Sequence, residues 1–243
     1  MAGAIIIGVG PGIGLSVARR FAREGMPVSV LALSRGTVDA AADALRADSK
    51  DVTGLVADVA DEAALRAALD AAAGRNGAPD VLVYNAGVVR RDRLGDLSAA
   101  ELLATWAVNV GGAVTTAAYA GPRMAAQGQG FMAFTGGIER PDPERISLSL
   151  GKFGLRTLVD ILDQQFGPAG VHVANLIVGG NVERGGTFDP DEVAEVYWRL
   201  YREPPGTWTR ELFYAGGGAD RVTGSVRSVS SPETPSEGGS SSS

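Results

Sequence analysis

Two rhythms of apolar and polar positions alternate along this chain. Ala4–Val9 is an unbroken apolar run bounded by glycines, the pattern of a strand covered on both faces. Gly12–Glu24 then places its apolar residues at helical spacing. The pair recurs three times: strand Val28–Leu33 with helix Val38–Ala47, strand Val52–Val56 with helix Ala60–Ala73, and strand Asp80–Tyr84 with a long helix over Ser98–Gln127. Strand Gly130–Phe134 precedes a helix over Ser147–Phe166. Strand Val171–Ile177 precedes a helix over Pro190–Arg202, and Glu211–Tyr214 makes a short seventh strand.

Apolar strands separated by helices predict an α/β fold, a Rossmann-type doubly wound parallel sheet of about seven strands with helices on both faces. From Gly216 the rhythm stops. Ser, Gly, Pro and Glu dominate, and the ending SSPETPSEGGSSSS cannot bury enough surface to offset the entropy of ordering it. One domain over residues 1–222 and a disordered tail over 223–243 are expected.

Composition narrows the function. At 243 residues the chain suits one large domain that needs no staples. It has no cysteine, which excludes disulfides and thiolate chemistry and fits the expected cytoplasmic location. A single histidine excludes a multi-His metal site, and no metal is expected. A net charge of -6 argues against nucleic acid or an anionic membrane as partner. Ala4–Val9 lacks a basic flank, so it reads as a buried strand and not as a signal peptide. No apolar window approaches a membrane span.

The first strand runs into Gly8-Val9-Gly10-Pro11-Gly12-Ile13-Gly14, and a helix follows. Glycines at such a turn let the chain reverse sharply, let the backbone approach a pyrophosphate, and let helix and strand pack closely. The helix start then offers free N–H groups and a positive dipole end to phosphates. Gly8, Gly10, Gly12, Ile13 and Gly14 are therefore candidate cofactor-binding residues. The second strand ends at Leu33-Ser34-Arg35. An NAD site wants Asp or Glu there to accept from the ribose 2′-OH, whereas a guanidinium suits a 2′-phosphate. Ser34 and Arg35 favour NADP(H) over NAD(H).

With these residues in view, the chain resembles the short-chain dehydrogenase/reductase family over roughly residues 2–218. Four stations carry the resemblance: the glycine turn, Asp58-Val59 after the third strand, Asn85-Ala86-Gly87 after the fourth, and Asn109 within the long fourth helix. The resemblance implies that Asp58 and Val59 contact the adenine and that Asn85, Ala86 and Gly87 lie over the cofactor. It also implies hydride transfer at the nicotinamide, assisted by a Ser–Tyr–Lys group with the asparagine behind it. Gly180, after the sixth strand, would let the backbone pass the nicotinamide, with Val182 beside it. A small-molecule substrate and a homodimer or homotetramer follow from the same resemblance.

The proton-transfer half departs from that pattern. Lys152 matches the family lysine, which the resemblance implies also binds the cofactor by holding the nicotinamide ribose. The tyrosine belongs four residues earlier, one turn back on the same face, and Leu148 stands there. Where the family has serine, Thr135 or one of the glycines after it stands. The candidate catalytic set is Asn109, Thr135, Ser149 and Lys152. Ser149 and the carboxylates of the loop Glu139–Glu144 remain open as substitute acids. These residues predict an oxidoreductase that reduces a carbonyl or an imine with a non-standard proton donor. A non-redox isomerase or cyclase, or an inactive NADP(H)-binding protein, is the alternative. His172 and the aromatic residues Tyr197, Trp198, Tyr201 and Trp208 are read as packing or subunit interface, and Arg90, Arg91 and Arg93 as a solvated run.

Overall fold

The computed structural model describes residues 3–49 and 51–226. Eight strands form one sheet: β1 (Ala4–Ile7), β2 (Val28–Ala32), β3 (Val52–Val56), β4 (Val81–Tyr84), β5 (Gly130–Gly136), β6 (Val171–Val178), β7 (Thr209–Tyr214) and β8 (Val222–Val226). Their order across the sheet is β3-β2-β1-β4-β5-β6-β7-β8. The first seven pair in parallel. The chain winds outward from β1 to β3, crosses back, and winds outward again from β4. The switch point, where an open α/β sheet forms its binding crevice, lies between β1 and β4.

Every residue of β1, β4 and β6 is buried, which is why β1 and β4 read as continuous apolar runs and β6 as one broken only by His172 and Asn175. Helices α1 (Ile13–Arg23), α2 (Arg35–Leu45) and α7 (Pro190–Arg202) cover one face, around Phe21, Leu45 and Tyr197. Helices α3 (Glu62–Asn76), α5 (Gly112–Gln127) and α6 (Ile146–Phe166) cover the other, around Leu69, Met124 and Leu155. The long helix expected over Ser98–Gln127 forms with one interruption. Helix α4 (Ala99–Trp106) opens with a capping box between Ser98 and Glu101. It reaches α5 through a five-residue π segment, Ala107–Gly111, with Asn109 at its centre.

The end of the chain departs from expectation. Residues 223–226 were expected to be disordered, yet they belong to β8, which pairs antiparallel with β7 through Tyr214↔Val222 and Phe213↔Thr223. A turn closed by Ala215 N–H donating to the Arg221 carbonyl (3.1 Å) reverses the chain. An edge strand is held by backbone pairing, so a composition poor in apolar residues did not betray it. The remainder of the expected tail, 227–243, lies outside the described residues.

Candidate functional site

A cleft of about 660 Å³ opens at the carboxyl ends of β1 and β4, at the switch point. Gly8, Gly10, Gly12, Ile13 and Gly14 line it, with Ser34, Asp58, Val59, Asn85, Ala86, Gly87 and Val182. Segments far apart in sequence therefore meet on one surface. A second cavity, of about 580 Å³, lies at the opposite ends of β5 and β6 and is walled by His172 and Trp208. None of the expected site residues borders it.

The glycine turn owes its shape to close approaches. Gly8 sits at a φ of +87°, in the left-handed region. A Cβ on Gly14 would lie 2.5 Å from the Gly8 carbonyl oxygen and 2.9 Å from Val9 Cα. Asn85 fixes the turn from the neighbouring strand: its Nδ2 donates to the Gly8 carbonyl at 2.8 Å. The helix that follows is left open at its start. No side chain caps α1, and its first turn carries no acidic residue. By contrast, Ser34 caps α2, Asp61 caps α3, Ser98 caps α4 and Asp189 caps α7. Leu15 N–H is taken by the Gly10 carbonyl at 3.1 Å, which leaves the N–H groups of Ile13 and Gly14 for an anion in the cleft.

Farther along the cleft the Ser34 hydroxyl lies 2.8 Å from that of Thr37, and both residues line the wall. Arg35 does not line it. Its side chain is 69% exposed and stands 3.9 Å from Asp39 on the same helix. Thr37, Val88 and Val108 line the cleft without having been anticipated. Thr37 was legible as the i+3 neighbour of Ser34; Val108 was not, since it depends on the π segment. Gly180 is packed against the Phe188 ring and is not part of the cleft wall.

Deeper in, Asn109 is wholly buried. Its Oδ1 accepts from Val88 N–H at 2.7 Å, and its Nδ2 donates to the Val88 carbonyl at 3.3 Å, so it clamps the segment after β4. Helix α6 approaches closely here, because a Cβ on Gly151 would lie 2.7 Å from Asn109 Cβ. Lys152 is 5% exposed, and its ammonium donates to the Thr135 carbonyl at 2.7 Å. Burial pushes its pKa down to about 8. Leu148, one turn earlier, is 2% exposed.

Two expected hydroxyls are turned away. Thr135 Oγ1 donates to Asn85 Oδ1 at 2.9 Å and lies 2.7 Å from Tyr197 Oη. Tyr197 belongs to α7, so this hydroxyl faces the side of the sheet opposite α6 and Lys152. The alternation of β5 dictates this, since Thr135 shares a face with Phe131 and Ala133. Ser149 Oγ accepts from Asp142 N–H at 2.9 Å and donates to the Asp142 carbonyl at 3.2 Å. Neither hydroxyl is presented to the cleft as a proton donor. Two of the three loop carboxylates are engaged at the surface, where Glu144 pairs with Arg93 and Asp142 lies 3.7 Å from Arg145; Glu139 is held by its backbone carbonyl, which accepts from Arg156 at 3.1 Å.

Helix α6 receives its N-terminal partner from another loop. Asp92 Oδ1, buried, accepts from Ser147 N–H at 3.1 Å. The aromatic residues near the C-terminus pack as core: Tyr197 is buried, Trp198 and Tyr201 meet Phe21 edge-on, and Trp208 stacks on His172 with rings 5.2 Å apart. Among the described residues, no cluster of His, Asp or Glu could hold a metal ion, and no helix is long and apolar enough to cross a membrane.

Comparison with known proteins agrees with this geometry. The short chain dehydrogenase family matches residues 2–184. D-threitol dehydrogenase of Mycolicibacterium smegmatis is 31% identical over 173 residues, 70% of this chain and 66% of that protein, so the match spans just under two thirds of the relative. A short-chain dehydrogenase from Rhodopseudomonas palustris superposes with a TM-score of 0.81 at 25% identity, over 89% of this chain and 99% of that one. An alcohol dehydrogenase from Thermococcus sibiricus, complexed with 5-hydroxy-NADP, superposes with a TM-score of 0.78 at 26% identity, over 88% and 95%.

Proposed function

The chain belongs to the short-chain dehydrogenase family, and from that premise we propose that it binds NADP(H) and passes hydride to the carbonyl or imine carbon of a small molecule without the family's tyrosine. The uncapped start of α1, facing a cleft lined by three of the four family stations with Asn109 buried behind it, carries this reading. The glycine turn and the first N–H groups of α1 would hold the pyrophosphate. Asp58 and Val59 would flank the adenine, and Asn85–Gly87 with Val182 the nicotinamide half. When bound, the nicotinamide supplies or accepts the hydride. Ser34 and Thr37 would meet a ribose 2′-phosphate, and Arg35, exposed at the start of α2, would need a rotamer change to join them. The alcohol dehydrogenase complexed with 5-hydroxy-NADP supports the choice of NADP(H).

The test is NADPH oxidation across a panel of small aldehydes, ketones and cyclic imines. Substrate-dependent oxidation supports the proposal. NADPH binding with no oxidation across the panel counts against it. Leu148 and the withdrawn Thr135 hydroxyl favour a second reading, in which the same pocket runs an isomerisation or cyclisation. Turnover of substrate with no net change in NADPH separates the two.

Exposed apolar side chains gather on α4, α5 and α6: Leu103, Trp106, Val114, Leu150 and Ile161. They support a homodimer or homotetramer formed through these helices, the arrangement the family resemblance implies. Light scattering during size-exclusion chromatography checks the assembly, and a monomer at micromolar concentration refutes it.

A further inference from the structure

We propose that Lys152 is itself the proton donor of this site, taking the place of the hydroxyl that the family's tyrosine would provide. The inference rests on the oxidoreductase reading above and names the group that completes it.

The geometry removes the hydroxyls that could compete with Lys152. Leu148 has no proton to give. The Thr135 hydroxyl lies on the far face of the sheet, and Ser149 is bound to Asp142 through both donor and acceptor. Tyr84 donates to the Val108 carbonyl at 2.5 Å, and burial drives its pKa far up. Among the described residues, Lys152 is the ionisable side chain that reaches the corner formed by Asn109, Gly87 and Thr135.

Its ammonium lies directly behind the cleft wall at Gly87. One of its three N–H groups is taken by the Thr135 carbonyl. Gly87 lines the cleft, and a Cβ there would lie 3.5 Å from Lys152 Nζ. Gly137 does the same along the stem, with a Cβ position 3.3 Å from Cε. Neither glycine carries a side chain that would screen the amine from the cleft side.

The chemistry of the residue type agrees. The chain holds 20 arginines and two lysines, Lys50 and Lys152. Arginine does not give up a proton at accessible pH, whereas a desolvated lysine does. Burial holds Lys152 near pH 8, so both protonation states are populated close to neutrality, as a general acid requires. In the reaction, the carbonyl carbon accepts hydride from the reduced nicotinamide while its oxygen takes a proton from the Lys152 ammonium. Alcohol and oxidised nicotinamide result. The neutral amine is then reprotonated by water.

Only two lysines make the test clean. In protein labelled with 13C and 15N lysine, the two side chains titrate as separate signals, assigned with Lys50→Arg. We expect the Lys152 signal to titrate near pH 8. Native protein with NADPH and 4-nitrobenzaldehyde should oxidise the nucleotide, with kcat falling as pH rises through Lys152's titration. Lys152→Arg should keep NADPH affinity within about tenfold and lose at least about 10²-fold in kcat. Leu148→Tyr should flatten the fall above pH 8 by supplying a second donor. An ordinary Lys152 titration, a rate flat through pH 8, full activity in Lys152→Arg, or no oxidation by native protein that binds NADPH would each overturn the proposal. Failure of the native protein to bind NADPH at all would instead remove the oxidoreductase reading on which it rests.

Discussion

Alanine at Gly14 and alanine at Gly74 should move stability in opposite directions. Both glycines lie inside helices, Gly14 in α1 and Gly74 in α3. Helix propensity alone favours alanine over glycine by about 0.8–1 kcal/mol at an interior position. Nothing lies within 4 Å of a Cβ on Gly74, so the propensity gain is realised there. At Gly14 the new methyl falls 2.5 Å from the Gly8 carbonyl oxygen and 2.9 Å from Val9 Cα, up to about 1 Å inside ordinary contact. Both obstacles are backbone, so neither can rotate away. Overpacking of that kind costs roughly 1–3 kcal/mol, which outweighs the propensity gain. At roughly 2–4 °C per kcal/mol for a domain of this size, Gly74→Ala should raise Tm by about 1–4 °C, and Gly14→Ala should lower it by a similar or larger amount. The same displacement moves the turn that cradles the phosphates, and a misplacement near 1 Å can cost about 10²-fold. Gly14→Ala should therefore bind NADPH at least about tenfold more weakly, with Gly74→Ala unchanged. Differential scanning calorimetry and fluorescence titration on the three proteins read both effects. Equal shifts of Tm in the two variants would refute the reasoning.

Arg35→Ala should weaken NADPH binding by about 10-fold or more and leave NADH binding unchanged, as a charge-assisted hydrogen bond to phosphate is worth about 1.5–3 kcal/mol. Calorimetric titration with both nucleotides checks it, and equal losses for the two would refute it. Asp92→Ala should cost about 1–2 kcal/mol, measured by urea unfolding, because Ser147 N–H at the start of α6 loses its buried acceptor; no change in midpoint would show that the contact contributes nothing. His172 should make the protein acid-sensitive. Burial lowers its pKa below 6.5, against the opposing pull of the Thr209 carbonyl and Glu203, so the folded chain holds it neutral while the unfolded chain protonates it. Stability is then full above pH 6.5 and falls below it, by at most about 1.4 kcal/mol per pH unit, until the folded pKa is reached. Urea midpoints between pH 7 and 5 should decline in the native protein and flatten in His172→Gln. Parallel profiles would assign the slope to other groups.

The sheet was legible because its strands are buried on both faces. Ile5, Ile6 and Ile7 on β1 leave no polar phase to confuse the period, and β6 has only His172 and Asn175 among six apolar residues. The glycine turn was legible because close backbone approach admits no other residue type. What was hidden depends on direction or on backbone pairing. Thr135 looks like a serine substitute in a one-dimensional string, but a strand alternates faces, and its hydroxyl points to Tyr197. Ser149 lies near Lys152 in sequence, yet the loop fold ties it to Asp142. Asn109 owes its place to a π segment, an extra residue in the helical turn that periodicity cannot resolve. Strand β8 is held by its ladder to β7, which the Gly- and Ser-rich composition conceals. Lys152 was readable as a position, but its isolation from every other proton donor emerged only when the neighbouring hydroxyls were placed.

The central claim is a nicotinamide dinucleotide in the cleft between β1 and β4, and equilibrium binding of NADPH and NADH to the native protein tests it most directly. Nucleotide fluorescence and calorimetry should give one saturable site per chain, tighter for NADPH, and displaced from tight binding by Gly14→Ala. No saturable binding of either nucleotide up to millimolar concentration would contradict the account.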